Sequence, residues 1–145
     1  MPAPKAFAPL PAPGDIVYCR FPQTKGKPGP KPRPALVIAI VQFDDGARGV
    51  RVAYGTSQKA DELRGGEFSI TAEDRAAYRL SGLSFPTKFD MSSTQDLPYD
   101  EDWFRVPQAP QYGQTPKLGS LHASLYRRAK AAYDAAAKKS SRRKD

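Results

Sequence analysis

The run ALVIAIVQF, residues 35–43, constrains the fold more than any other stretch of this chain. Only Gln42 among its nine residues is polar, and Val37, Ile38, Ile40 and Val41 are branched at Cβ, which favours extended backbone. Unbroken apolar character over this length predicts a strand buried on both faces. The residues in front of it are Lys31-Pro32-Arg33-Pro34. An arginine held between two prolines thus leads into a strand that is otherwise core. An unpaired charge is costly to bury. Arg33 therefore either ends the strand in solvent or is aimed at something anionic.

The neighbouring segments predict a meander around that strand. Gly14-Asp15 opens the ordered part, and Ile16, Tyr18 and Arg20 alternate with Val17, Cys19 and Phe21 as a first short strand. FPQTKGKPGPKP, residues 21–32, is too rich in Pro and Gly for a helix or a central strand, so it is a loop. Its length is near that at which loops are functional or disordered. Asp44-Asp45-Gly46 marks a turn. Val50, Val52 and Tyr54 then alternate with Arg51 and Ala53 in a third strand that ends at Gly55-Thr56-Ser57.

Residues 67–70 read as a short strand. Thr71 with Asp74 resembles a capping box that opens a short helix reaching Leu80, and Gly82 stops it. Residues 85–97 supply one or two more strands, residues 96–102 an acidic turn, and residues 107–116 a linker. Leu118, Leu121, His122, Leu125, Ala129, Ala132, Tyr133 and Ala136 fall on one helical stripe, which predicts a helix over residues 118–139. The fold class is therefore mainly β with flanking helices: a small, strongly bent antiparallel barrel and a long C-terminal helix. Residues 1–13 are expected to be a flexible Pro-rich leader, residues 14–139 one domain, and residues 140–145 a disordered basic tail.

Composition narrows the chemistry. The net charge of +8 lies mostly from Lys117 onward, where nine Lys/Arg face two acids; the first 116 residues hold 14 and 13. Overall basicity is thus a weak pointer to a nucleic-acid partner. The local patch is stronger: Arg20, Lys25, Lys27, Lys31 and Arg33 stand together with no acid between them. Such a patch attracts phosphate or an acidic peptide, although exposed lysines also simply solvate a loop. One cysteine, Cys19, gives no disulfide framework and fits a reducing, cytoplasmic setting. No run reaches the ~18–20 apolar residues of a membrane span. The one histidine, His122, sits in the predicted helical stripe, so a two-histidine acid–base pair is impossible. No HExxH, CxxC, P-loop or G-x-S-x-G motif occurs, and neither metal nor cofactor is expected.

What remains is chemistry done by Arg, Lys, Asp, Thr and Ser. RNA phosphodiester cleavage can proceed that way, because the 2′-OH is an internal nucleophile already close to phosphorus. Arginine forks suit the phosphate oxygens, and hydroxyls or a carboxylate can position the 2′-OH.

Four stretches occur in order: GDIVYCRFPQ, the RPALVIAIV run, VAYGTSQK and GLSFPTKFDMSSTQDLPYDEDWF. Together they resemble the MazF/PemK (Kid) family of toxin endoribonucleases from type II toxin–antitoxin systems. The resemblance implies an SH3-like barrel of the MazF/CcdB type, a homodimer, and cutting of single-stranded mRNA without metal to a 2′,3′-cyclic phosphate and a 5′-OH. It implies catalytic roles for Arg33, Thr56, Ser57 and Asp90. In the PemK branch an Arg-x-Asp pattern contributes, and here Lys88-Phe89-Asp90 stands in its place. Lysine keeps the charge and loses the bidentate fork. RNA contacts are expected from Arg20, Phe21, Gln23, Lys25, Lys27, Lys31, Gln58, Lys59 and Lys88, with the 21–32 loop over the groove. Tyr18, Phe21 and Tyr54 are stacking platforms or core aromatics. A cognate antitoxin with an acidic disordered segment is the expected partner. The competing readings are a non-catalytic SH3-like binding module, as in the gyrase poison CcdB, an inactive toxin relative, and a nonspecific nucleic-acid protein driven by the C-terminal basic helix.

Overall fold

The computed structural model describes residues 3–143, with side chains to Lys139. Its centre is one open six-stranded antiparallel sheet in the order β4-β5-β3-β2-β1-β6. The strands are β1 (Asp15–Cys19), β2 (Arg33–Gln42), β3 (Arg48–Thr56), β4 (Glu67–Ile70), β5 (Thr87–Pro98) and β6 (Lys117–Ser120). The ladder does not close: β4 and β6 are its two edges. Register shifts between Ile16 and Val17, Val37 and Ala39, and Ala53 and Tyr54 break the pairing. Such bulges bend and twist a sheet, which gives the strong curvature expected of a barrel without its closure.

Because the sheet is covered on both sides, it has two cores. One face carries Ile16, Leu36, Phe68, Ile70 and Phe89. It packs against Leu125 in the turn before helix α2 (Tyr126–Arg143), against Ala129 and Ala132 of that helix, and against Ala77 of helix α1 (Ala76–Ser81). The other face carries Val17, Cys19, Val37, Val50, Val52 and Leu97 beneath Tyr99 and Phe104. β2 separates these cores, as its apolar run predicts. Full burial holds only over Ala35, Leu36 and Val37; from Ile38 onward the strand runs past its bulge and is half covered.

Three expectations change. The leader is not loose over residues 5–11. Phe7 N donates to Tyr99 O (3.0 Å), Glu101 N donates to Lys5 O (2.9 Å), and the Phe7 ring meets Tyr99 edge-on at 5.8 Å. Phe7 and Leu10 cover the second core, and the acidic turn supplies the backbone groups they pair with. The C-terminal helix starts at Tyr126 rather than Leu118, because residues 117–120 add to the free edge of β1 instead. Gly119, a poor helix residue, fits there against the Ser81 backbone, where a side chain would overlap it. His122 then caps a single 3-10 turn, its ring accepting from Ser124 N at 3.0 Å. At the other end α2 continues to Arg143, four residues into the segment expected to be disordered; residues 144–145 lie outside the described part.

The capping box forms as expected: Thr71 and Asp74 bond each other's backbone around the 3-10 turn Ala72–Asp74. A reversal at Arg75 (φ 53°) separates that turn from α1, and Gly82 ends α1 in the left-handed conformation (φ 70°).

Candidate nucleic-acid interface

The register of the sheet builds the site. Ala35 pairs with Tyr54, so continuing the ladder by two residues sets Arg33 opposite Thr56. Arg33 also pairs with Cys19, and Thr56 with Lys88. Side chains of paired residues share a face. Cys19, Arg33, Thr56 and Lys88 therefore form one row across four strands. Next along the same face come Val17, Ala35, Tyr54 and Asp90. Arg33 is the first residue of β2 and Thr56 the last of β3, so both stand where the sheet meets solvent.

Two hollows open beside this row, and Arg33 lines both. The larger, a cleft of about 450 Å³, is walled by Arg33, Thr56, Ser57, Phe85, Gln108 and Tyr112, among others. The smaller, about 180 Å³, is walled by Phe21, Gln23, Lys31, Arg33, Tyr54 and Ser93. Their only charged wall residues are Arg33 and Lys31, and neither hollow has an acidic one. No ion pair among the described residues uses either cation. Two positive charges outside any ion pair, beside hydroxyl and aromatic walls, are of the kind that attract an anion.

Local packing fixes this geometry. Pro32 and Pro34 hold the backbone on either side of Arg33. Gly55, between Tyr54 and Thr56, lies between the Pro34 carbonyl and the Phe89 ring, leaving no space for a side chain. Thr56 Oγ1 accepts from Gln58 N at 3.1 Å, which leaves its hydroxyl proton free to donate outward. Cys19, behind Arg33, is fully buried; burial pushes its thiol far above the ordinary range and keeps it an inert neutral group.

The other expected residues divide. Arg33, Thr56 and Ser57 come together in the cleft, and Phe21, Gln23 and Lys31 come together in the smaller hollow. Phe21 is buried against Tyr54, with ring centroids 5.1 Å apart, so it is a wall of the hollow rather than an open platform. Lys25 and Lys27 are exposed in the tight turn where Thr24 pairs with Lys27. Gln58 and Lys59 are exposed beyond β3. Arg20 is engaged in holding the fold, since its Nε donates to Gly29 O at 3.1 Å and closes the 21–32 loop at its base. Lys88 donates to Glu67 Oε1 (3.3 Å) and Glu62 O (2.9 Å) with little exposure, so its charge is already met. Asp90 accepts from Ser92 N at 2.9 Å; neither it nor Lys88 lines either hollow. Sequence reasoning missed Phe85, Gln108 and Tyr112 on the cleft wall. Pattern alone makes the first a strand start and the other two linker, although an aromatic before a proline at a strand end is hard to bury.

Among the described residues, no three or more His, Cys, Asp or Glu side chains gather where they could hold a metal. No described helix is long and apolar enough to cross a membrane.

A bent antiparallel sheet thus sets an arginine outside any ion pair and a threonine in one row at an open cleft. Residues 12–92 match the family model for the PemK-like, MazF-like toxin of type II toxin–antitoxin systems, which covers more than half of the chain. The chain belongs to that family, whose members act as toxins paired with an antitoxin. No curated protein matches the chain. The family match ends within β5, so Gln108, Tyr112 and α2 lie beyond it.

Proposed function

We propose that the chain is an endoribonuclease toxin that cuts single-stranded RNA without a metal ion. The observation that carries this reading is the cleft itself: Arg33 unpaired, Thr56 in the same cross-strand row, and no acid on the walls. Family membership supports it. In the reaction, the 2′-oxygen attacks phosphorus, the 2′-O–P bond forms and the P–O5′ bond breaks. The 2′-OH gives up its proton to water, and the departing 5′-oxygen takes one from water. The products are a 2′,3′-cyclic phosphate and a 5′-OH. Arg33 holds the non-bridging oxygens with a fork that strengthens as charge builds there. Thr56 donates its free hydroxyl proton to the same phosphate, with Ser57 beside it. Lys31, Lys25 and Lys27 draw the strand in and make binding salt-dependent. DNA, without a 2′-OH, is spared.

The same surface suits the antitoxin. An acidic, extended segment laid across Arg33 and Lys31 would neutralise both cations and block the cleft. We place the toxin in the cytoplasm as a homodimer, as the family resemblance implies.

The test is incubation of the purified chain with a long single-stranded RNA in excess EDTA, beside Arg33→Ala, with the product ends mapped. Discrete cuts ending in cyclic phosphate, lost in the variant, are the expected result. Cleavage that survives in Arg33→Ala would remove this arginine from the chemistry. A folded wild-type chain that leaves RNA intact would favour a binding module without catalysis.

A further inference from the structure

The cleft displays an aromatic ring that the fold does not use. Phe85 is 67% exposed, the most exposed of the large apolar side chains among the described residues, while Phe68, Phe89 and Phe104 are buried. A single exposed apolar side chain is ordinary. This one, however, is held in place. Pro86 restricts the backbone of Phe85, and the hydroxyl of the buried Thr87 donates to Phe85 O at 2.8 Å. The ring therefore stands on a stiff stem at the wall of a cleft whose volume lies in the ~300–1,000 Å³ range of ligand pockets.

Gln108 lines the same cleft from the segment after the family match, and its side chain is exposed. That segment is anchored: Pro107 is buried, and Tyr112 Oη donates to Gly82 O at 2.9 Å. A primary amide offers a donor and an acceptor side by side, which is what the edge of an unpaired base presents in return.

We infer that this end of the cleft is a nucleobase subsite. One unpaired base of the RNA strand stacks on Phe85 and has its edge read by Gln108, while its phosphodiester lies at Arg33 and Thr56. The subsite rests on the nuclease reading above and deepens it. Phe85 supplies affinity that tolerates any base, since every base has a π-face. Gln108 supplies preference.

The test uses the full chain as wild type, Phe85→Ala, Phe85→Trp and Gln108→Ala. Cleavage is mapped on a randomised single-stranded RNA pool. Binding is measured on the wild-type target site made uncleavable by 2′-O-methylation. Phe85→Ala is expected to bind ~10- to 100-fold more weakly, from the usual loss per stacked base. Its kcat/KM should fall mainly through KM and its melting temperature should not change; Phe85→Trp should restore binding. Gln108→Ala should keep cutting while losing base preference at one position of the motif. A wild type that cuts, with Phe85→Ala binding equally well and Gln108→Ala cutting the same motif, would overturn the subsite and leave the nuclease standing. A wild type that cuts no RNA would overturn both.

Discussion

Replacing Gly55 with alanine should damage the fold and the site together. Gly55 pairs with Phe89 in the ladder, and its Cα faces the Pro34 carbonyl on one side and the Phe89 ring on the other. A methyl group there would overlap the carbonyl oxygen and come within 2.8 Å of Phe89 Cε1. Carbon atoms rest at ~3.5–4.0 Å, so ring and methyl must part by roughly 1 Å. Phe89 is fully buried and has nowhere to swing. Overpacking of this kind costs ~1–3 kcal/mol, and backbone on one side with a core ring on the other places Gly55→Ala near ~3 kcal/mol. At ~4 °C per kcal/mol for a chain of this size, the melting temperature falls by ~12 °C. Gly65→Ala is the control, since a methyl there meets nothing within 4 Å. It should melt within ~2 °C of wild type or slightly higher, because it only stiffens the unfolded chain. Circular dichroism melts of the three proteins decide the matter. RNA cleavage well below the melt adds a second reading. A displacement of ~1 Å between the neighbours of Arg33 and Thr56 should slow the reaction by ~100-fold. If Gly55→Ala and Gly65→Ala melt alike, the close approach of β2, β3 and β5 at this point is wrong, and with it the alignment of Arg33 and Thr56.

Arg33→Lys keeps the charge and loses the fork, so RNA cleavage should fall by ~100-fold or more with no change in melting temperature; equal rates would show that charge alone suffices. Phe7→Ala should lower stability by ~2 kcal/mol in urea denaturation, from lost burial and the edge-on contact with Tyr99, whereas a loose leader would show no change. Lys88→Met leaves Glu67 unpaired with its side chain only 10% exposed, and should destabilise by ~3 kcal/mol. Adding Glu67→Gln should recover most of that loss, and a double variant no more stable than the single one would refute the pairing. Burial, with a smaller effect of the Asp15 charge, pushes the Tyr99 hydroxyl from 10.0 up to about 12. The unfolded chain therefore releases this proton first. Stability should hold below pH 10 and decline as pH rises toward 12. Tyr99→Phe should flatten that decline in urea midpoints taken across the range.

The strands that position the site were legible because their signals are local. The β-branched run marks β2, alternation marks β3, and the two prolines single out Arg33. The C-terminal segment misleads because Leu118, Leu121 and Leu125 fit a helical stripe equally well. The choice is made elsewhere, by the unpaired edge of β1 and by the narrow space around Gly119. The leader misleads for a related reason. Its prolines mark it as irregular, which is correct, but irregular backbone can still pack when a distant turn offers matching groups. Composition places Arg20, Lys25, Lys27 and Lys31 in one patch. It cannot tell that Arg20 closes the loop while Lys31 faces a hollow, since that depends on the Gly29 carbonyl. The far wall of the cleft is beyond its reach, because Phe85 and Gln108 meet only through tertiary folding.

The docked leader also bears on how the protein is made. Residues 5–7 are made long before their partners, residues 99–101. Across more than 90 positions, no local contact can hold them in the meantime, and such long-range pairings form late. β1 must likewise wait for residues 117–120 before its second edge is satisfied. The nascent chain therefore carries Phe7 and Leu10 uncovered until residues 99–104 emerge, and one side of β1 until residues 117–120 do. Residues made early are thus among the last to be placed. A nascent chain that already contains both Arg33 and Thr56 would still lack the residues on which its leader docks, so the proposed activity would wait on residues 99–120.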